Sequence, residues 1–107
     1  EQKHWSNYFG EQTRYAFQII APVVYAPEGD TSSFYADLMD MNLGFFGACL
    51  VAKKDEGLVC VKYRIAVEDL TEAHISEGLD IVSYYAELMQ ANLSNMYGVK
   101  GAVAGEG

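Results

Sequence analysis

The chain has 107 residues, carries 15 Asp+Glu against 7 Lys+Arg for a formal charge of −8, and is half apolar. With 13% aromatic residues as well, it is too greasy for a disordered acidic tail, and its length predicts one compact domain. The acidic balance argues against a sequence-independent nucleic-acid binder, and no apolar run nears the ~20 residues needed to span a bilayer.

The first segment reads as strand. Tyr15, Phe17, Ile19, Ala21, Val23 and Tyr25 alternate with Arg14, Ala16, Gln18, Ile20, Pro22 and Val24, a period of two. Residues 5–9 are the expected partner strand, with a turn at Gly10-Glu11-Gln12-Thr13, and Pro22 and Pro27 mark the close of the second strand. A start at Glu1 without a Met reads as a processed fragment, and no signal peptide is visible.

Residues 30–42 read as a short helix: Asp30 caps it, with Thr31, Ser32 and Ser33 as alternatives. Phe34, Leu38 and Met41 form its inward stripe, flanked by Tyr35 and Met39, and Gly44 ends it. A hairpin follows, with strands at 45–52 and 58–67 around Lys54-Asp55-Glu56-Gly57. Hydrophobic matching pairs Ala52 with Val59, Leu50 with Val61, Ala48 with Tyr63 and Phe46 with Ile65, placing all eight on one face. The loop is either two residues, Asp55-Glu56, or a bulged three-residue form that uses Gly57.

The stretch 71–97 is the clearest element. Ile75, Leu79, Val82, Ala86, Met89, Leu93 and Met96 recur at alternating spacings of 4 and 3, widened by Ile81, Tyr85 and Leu88. Thr71 is its N-cap and Gly98 its stop, while Gly78 weakens helix propensity by about 1 kcal/mol relative to Ala. Such a helix is ~40 Å long, more than a small sheet needs, so its C-terminal end is expected to overhang. The reading is thus one α+β domain over residues 1–98, an antiparallel sheet with two helices packed on one face, followed by a flexible Gly/Ala-rich tail at 99–107.

The charge is unevenly spread. Residues 26–44 carry −4 and residues 68–97 carry −6, both without a Lys or Arg, whereas residues 45–67 carry +2. On the expected fold this makes a dipolar plate, acidic on its helical side and neutral to basic on its sheet side.

Few constellations suggest chemistry. His74, Glu77 and Asp80 drift across helix faces with no second His or HExxH pattern, and read as a solvated helix start rather than a metal site. Asp37 and Asp40 read as surface acids. Cys49 and Cys60 are diagonal neighbours on the hairpin, too far apart to bridge in the preferred register, and two cysteines point to a reducing, cytoplasmic setting. No Ser/His/Asp order, Walker loop, GxGxxG or CxxC pair is present, so no catalytic, cofactor-binding or metal-ligating residue is assigned.

What remains is a surface. The hairpin face turned away from the helices carries Phe45, Cys49, Val51, Leu58 and Cys60 beside Lys62 and Arg64. Apolar burial supplies affinity and charge supplies orientation, which makes these seven the candidate partner-binding residues. A homodimer contact, or a face covered by an N-terminal segment outside the sequence, has the same composition.

From Pro22 to Tyr97, about three quarters of the chain, the sequence resembles the YbjN family of bacterial sensory-transduction regulators, whose fold is similar to type III secretion chaperones. The matching features are the strand ending in Pro27, the helix closing in Met41-Asn42-Leu43, and Gly44 opening the hairpin. The Asp55-Glu56-Gly57 turn, the strand at 59–67 and Glu68-Asp69-Leu70 before the last helix complete the pattern. The chaperone families begin with a helix, which this chain lacks at Glu1. The resemblance implies no enzyme, no cofactor and a role in binding other proteins, commonly as a dimer. The expectation is therefore a non-enzymatic, chaperone-like binding domain that takes a protein partner, or a second copy, on the open sheet face or at an edge strand. The alternative is a small-ligand sensor or enzyme with a pocket between sheet and long helix, lined by Tyr63 and Tyr85.

Overall fold

The computed structural model describes residues 2–5 and 12–102, with side chains from Tyr15 onward. In chain order it runs β1 (Gln2–Trp5), β2 (Gln12–Tyr25), α1 (Ser32–Met41), β3 (Cys49–Lys53), β4 (Leu58–Ala66) and α2 (Glu72–Tyr97). The strands form one antiparallel sheet in the order β1-β2-β4-β3. Both helices pack on the same face, so the fold is α+β. Phe34 and Leu38 of α1 and Val82, Ala86, Met89 and Leu93 of α2 close over Val24, Leu50, Val59, Val61 and Tyr63 of the sheet.

The ends of α2 are built as its sequence requires, the start of α1 only in part. Thr71 Oγ1 accepts from the His74 N–H at 3.2 Å, and Gly98 takes the left-handed conformation (φ 66°) that closes α2. The N-cap of α1 is Thr31, whose side chain makes no capping bond, not Asp30. Asp30, just before it, accepts at Oδ1 from the Ser32 N–H at 2.9 Å, and its bonds with Ser32 hold its carboxyl below the ordinary range.

The β3–β4 register is the one that hydrophobic matching selects, with Ala52 opposite Val59 and Leu50 opposite Val61. The loop takes neither expected form: Lys53 pairs with Leu58, so Lys54–Gly57 make a four-residue turn that ends on left-handed Gly57 (φ 62°). β3 is also shorter than expected. Gly47 at φ 79° breaks the extended run, so Phe46 does not pair with Ile65 and stands 79% exposed.

At the N-terminus β1 pairs with β2 from Gln2↔Tyr15 to Trp5↔Gln12. Gln12 and Thr13 therefore belong to the strand, not the turn, and the expected strand at residues 5–9 lies mostly outside the described residues. Pro22 and Val24 flank a bulge that leaves Val23 and Val24, consecutive residues, both buried.

Two expectations for the C-terminal third are corrected. The inward line of α2 is Gly78, Val82, Ala86, Met89 and Leu93, while Leu79 and Met96 are exposed. Alternating spacings of 4 and 3 follow a 3.5-residue repeat, which drifts by about 20° per heptad on a straight helix, so its ends rotate off the sheet. The tail, read from composition as flexible from residue 99, is tied down at its start. Tyr25 N–H donates to the Lys100 carbonyl at 2.9 Å and Ala102 N–H to the Val23 carbonyl at 2.8 Å, because the outer edge of β2 has backbone groups to satisfy there. Residues 103–107 lie outside the described residues.

Candidate functional site on the open sheet face

Residues directly opposite across strands share a face, so the register assigns every side chain of the uncovered side. Ile20, Lys62 and Cys49 form one row, and Pro22, Cys60 and Val51 the next. Tyr25, Leu58 and Lys53 form the row at one end; toward the other come Gln18 with Arg64 and then Ala16 with Ala66, where Ala16 is only 7% exposed. The result is an apolar strip of Ile20, Pro22, Cys60, Val51 and Leu58, with Lys53 at one end and Lys62 and Arg64, both on the central strand, toward the other. Among the described residues no element covers it, and Gly47, Ala48, Cys49, Val51, Lys62 and Arg64 line a shallow concavity on it.

Six of the seven sequence-assigned residues lie on this face. Cys49, Val51, Leu58 and Lys62 are half-buried and Arg64 is exposed. Phe45 is not among them: it turns to the helical side and stacks on Tyr85 with ring centroids 4.2 Å apart. The cause is the bend at Gly47, which takes residues 45–47 out of strand alternation. Cys60 has the expected direction but only 1% exposure, because it is a small side chain on the central strand between Pro22 and Val51. It belongs to the floor of the face, not its contact surface. Burial pushes its thiol up from the ordinary value, while Lys53 and Lys62 pull it down and Glu56 raises it. Both lysines thus act on one point in the middle of the strip.

Sequence reasoning on the hairpin alone missed the β2 contribution, Gln18, Ile20, Pro22 and Tyr25. The alternation of β2 was legible, but which of its two faces joins the hairpin's outer face depends on the β2–β4 register. Gln18 adds a buried Oε1 that has no hydrogen-bond partner among the described residues.

The sheet edges are less open than its face. On β3, the Asn42 side chain donates to the Leu50 carbonyl at 3.1 Å and accepts from the Leu50 N–H at 2.6 Å, as a neighbouring strand would. Leu50 therefore turns away from β4, and Val61 opposite turns its own N–H and carbonyl to Ala21. By the same alternation Pro22 faces outward, where its missing N–H leaves no donor unpaired. β1 holds one end of this outer edge and residues 99–102 the other.

Tyr63 and Tyr85 are each held by packing against a different neighbour. The Tyr63 ring lies so close to Gly78 that a Cβ there would sit 2.7 Å from it, and Tyr85 stacks on Phe45 while its hydroxyl accepts from the Phe46 N–H at 3.1 Å. Asp37 accepts a hydrogen bond from the Tyr97 hydroxyl. Cys49 and Cys60 are free thiols, and no group of three metal-ligating side chains occurs among the described residues. No described helix is long and apolar enough to cross a membrane. No family model, curated protein or solved structure matches the chain.

Proposed function

We propose that the chain is a non-enzymatic protein-binding domain, chaperone-like or regulatory, that takes its partner on the open face of the sheet. The observation that carries this reading is the half-buried apolar strip of Ile20, Pro22, Val51 and Leu58, which no described element covers, on a sheet whose other face holds both helices. Sheets of this kind bury an apolar face against another layer, and here that layer is not among the described elements. The face favours the strip over the edges as the point of contact, since Asn42 already occupies Leu50 on β3. The resemblance to the YbjN family points the same way.

A photo-crosslinking residue placed at Val51 tests the reading, with one at exposed Ser83 on α2 as the control. The expected result is a discrete crosslinked species from Val51 that is lost on Ile20→Asp, with urea denaturation confirming that the variant folds. Equal crosslinking from both positions, or none from Val51 in the source cell extract, would sink the proposal. Val51 and Ile20 are the positions to use, because a charge at buried Cys60 would unfold the sheet.

A further inference from the structure

We infer that the occupant of this face is an acidic amphipathic helix of a partner protein, with its apolar stripe across Ile20, Pro22 and Val51 and its carboxylates against Lys53 and Lys62. This rests on the open-face reading and names the chemistry of the partner.

Charge is the first argument. The chain carries −8 overall, and its two helices hold Asp37, Asp40, Glu72, Glu77, Asp80 and Glu87 with no Lys or Arg. The open face inverts this: Lys53, Lys62 and Arg64 stand on it, and no strand residue assigned to it is acidic. Glu56, in the turn at its end, is a carboxylate near enough to push the Cys60 thiol up. An apolar strip with a cation at one end and two at the other selects a partner with apolar residues flanked by carboxylates and repels a basic one.

Backbone satisfaction is the second. A segment lying flat on a sheet face cannot use the sheet's hydrogen bonds, which run between strands. An extended peptide would bury its own N–H and carbonyl groups unpaired, whereas a helix satisfies them internally. Strand addition would avoid that loss, but Asn42 stoppers β3 at Leu50, and the outer edge of β2 is hemmed at both ends with donor-less Pro22 between. Dimensions agree: β2, β4 and β3 lie ~4.8 Å apart, so the face is about 10 Å across, one helix diameter.

A second copy meeting this face by a two-fold axis is disfavoured, since it would bring the same patch, with Lys53, Lys62 and Arg64 and no strand carboxylate, from both sides. Nucleic acid is disfavoured because its phosphate backbone brings no apolar stripe to Ile20, Pro22 and Val51.

The test uses synthetic, fluorescently labelled helical peptides of roughly 18 residues, about 27 Å long, with Leu and Ala on one side and Glu on the other. Matched peptides carry Gln or Lys in place of Glu, and a single-stranded DNA oligonucleotide serves as the non-protein anion. Anisotropy titration against the chain should show the Glu peptide bound, the Lys peptide unbound, and binding weakened by salt. Combined Lys53→Glu and Lys62→Glu substitution should loosen it about tenfold or more, as should Val51→Asp. The milder Lys53→Gln/Lys62→Gln pair, with circular dichroism on every variant, separates charge from folding.

Equal binding of the three peptides, still sensitive to Val51→Asp, would overturn the acidic partner while leaving the open-face reading standing. Glu-peptide binding indifferent to Val51→Asp would overturn both. Tighter binding of the oligonucleotide, or no peptide binding at all, would overturn the inference. So would concentration-dependent growth of the unliganded chain by light scattering that Lys62→Glu abolishes, which would make the occupant an acidic helix of another copy stacked head to tail.

Discussion

Asn42 stands in for a fifth strand: its side-chain amide satisfies both the N–H and the carbonyl of Leu50, at 2.6 and 3.1 Å, on the outer edge of β3. Free edges recruit other chains, and one side chain here closes this one at its middle. Asn42→Ala leaves two partly buried backbone groups unpaired and should destabilise the fold by about 1–3 kcal/mol. It should also raise self-association, seen as concentration-dependent light scattering that the parent chain lacks. Asn42→Asp is the discriminating control, because a carboxylate accepts from the Leu50 N–H but cannot donate to its carbonyl. Stability of Asn42→Ala equal to the parent would mean that water replaces the amide without loss.

Gly78 sets two rules against each other. Helix propensity says that Gly78→Ala in α2 stabilises by about 1 kcal/mol. Packing says the opposite: the new Cβ would sit 2.7 Å from the Tyr63 ring and 3.0 Å from Ile19 Cδ1. Tyr63 is 5% exposed in the core and its ring has nowhere to swing, so the clash wins. The expected net effect is a loss of about 1–3 kcal/mol in urea denaturation. A gain would show that α2 can lift off the sheet at this point.

The same glycine shows where sequence reading stops. Thr71, Gly98 and the Leu50–Val61 register were legible because each follows from local chemistry or period-two matching. Gly78 reads from sequence as a weak spot in a helix; only the crossing of α2 over Tyr63 reveals it as the place where a side chain cannot fit. Phe45 and Cys60 fail for a related reason. Alternation assigns a direction to each, but a positive φ at Gly47 diverts Phe45, and two neighbouring strands bury Cys60. The charge asymmetry between helices and hairpin needed no coordinates at all, whereas the part of the open face supplied by β2 needed the register.

Tyr97 links the end of α2 to the start of α1. Its hydroxyl donates to the Asp37 carboxylate, and its ring meets Phe34 edge-on at 5.1 Å. The carboxylate opposes formation of tyrosinate, so Tyr97 is raised above the ordinary value of 10.0. A folded-state value above the unfolded one means that the native state holds the proton longer. The contribution is therefore complete below the unfolded pKa, and is lost as pH rises through the folded one. Stability should fall above about pH 10, and Tyr97→Phe should remove this group's share of that fall. An NMR titration of the Tyr97 ring checks the cause: Asp37→Asn should bring its transition down. An unchanged transition in Asp37→Asn would remove the carboxylate from the explanation.

The two thiols report on the open face itself. Cys49 lies half-buried on the edge strand, whereas Cys60 is 1% exposed on the central one and is pushed up by burial. Alkylation needs both access and thiolate, and Cys60 lacks the two together. Iodoacetamide should label Cys49 in the native chain and Cys60 only as fast as the protein unfolds, with peptide mass spectrometry counting each. Comparable native labelling of both would mean that β2, β4 and β3 part readily at Pro22 and Val51, and the floor of the proposed site would not exist as a fixed surface. If it does exist, an occupant seated across Val51 should shield Cys49 while leaving the slow rate at Cys60 unchanged. Protection of Cys49 by the Glu peptide, absent with the Lys peptide, would place the bound helix on the same rows of the sheet that Lys62 and Val51 define.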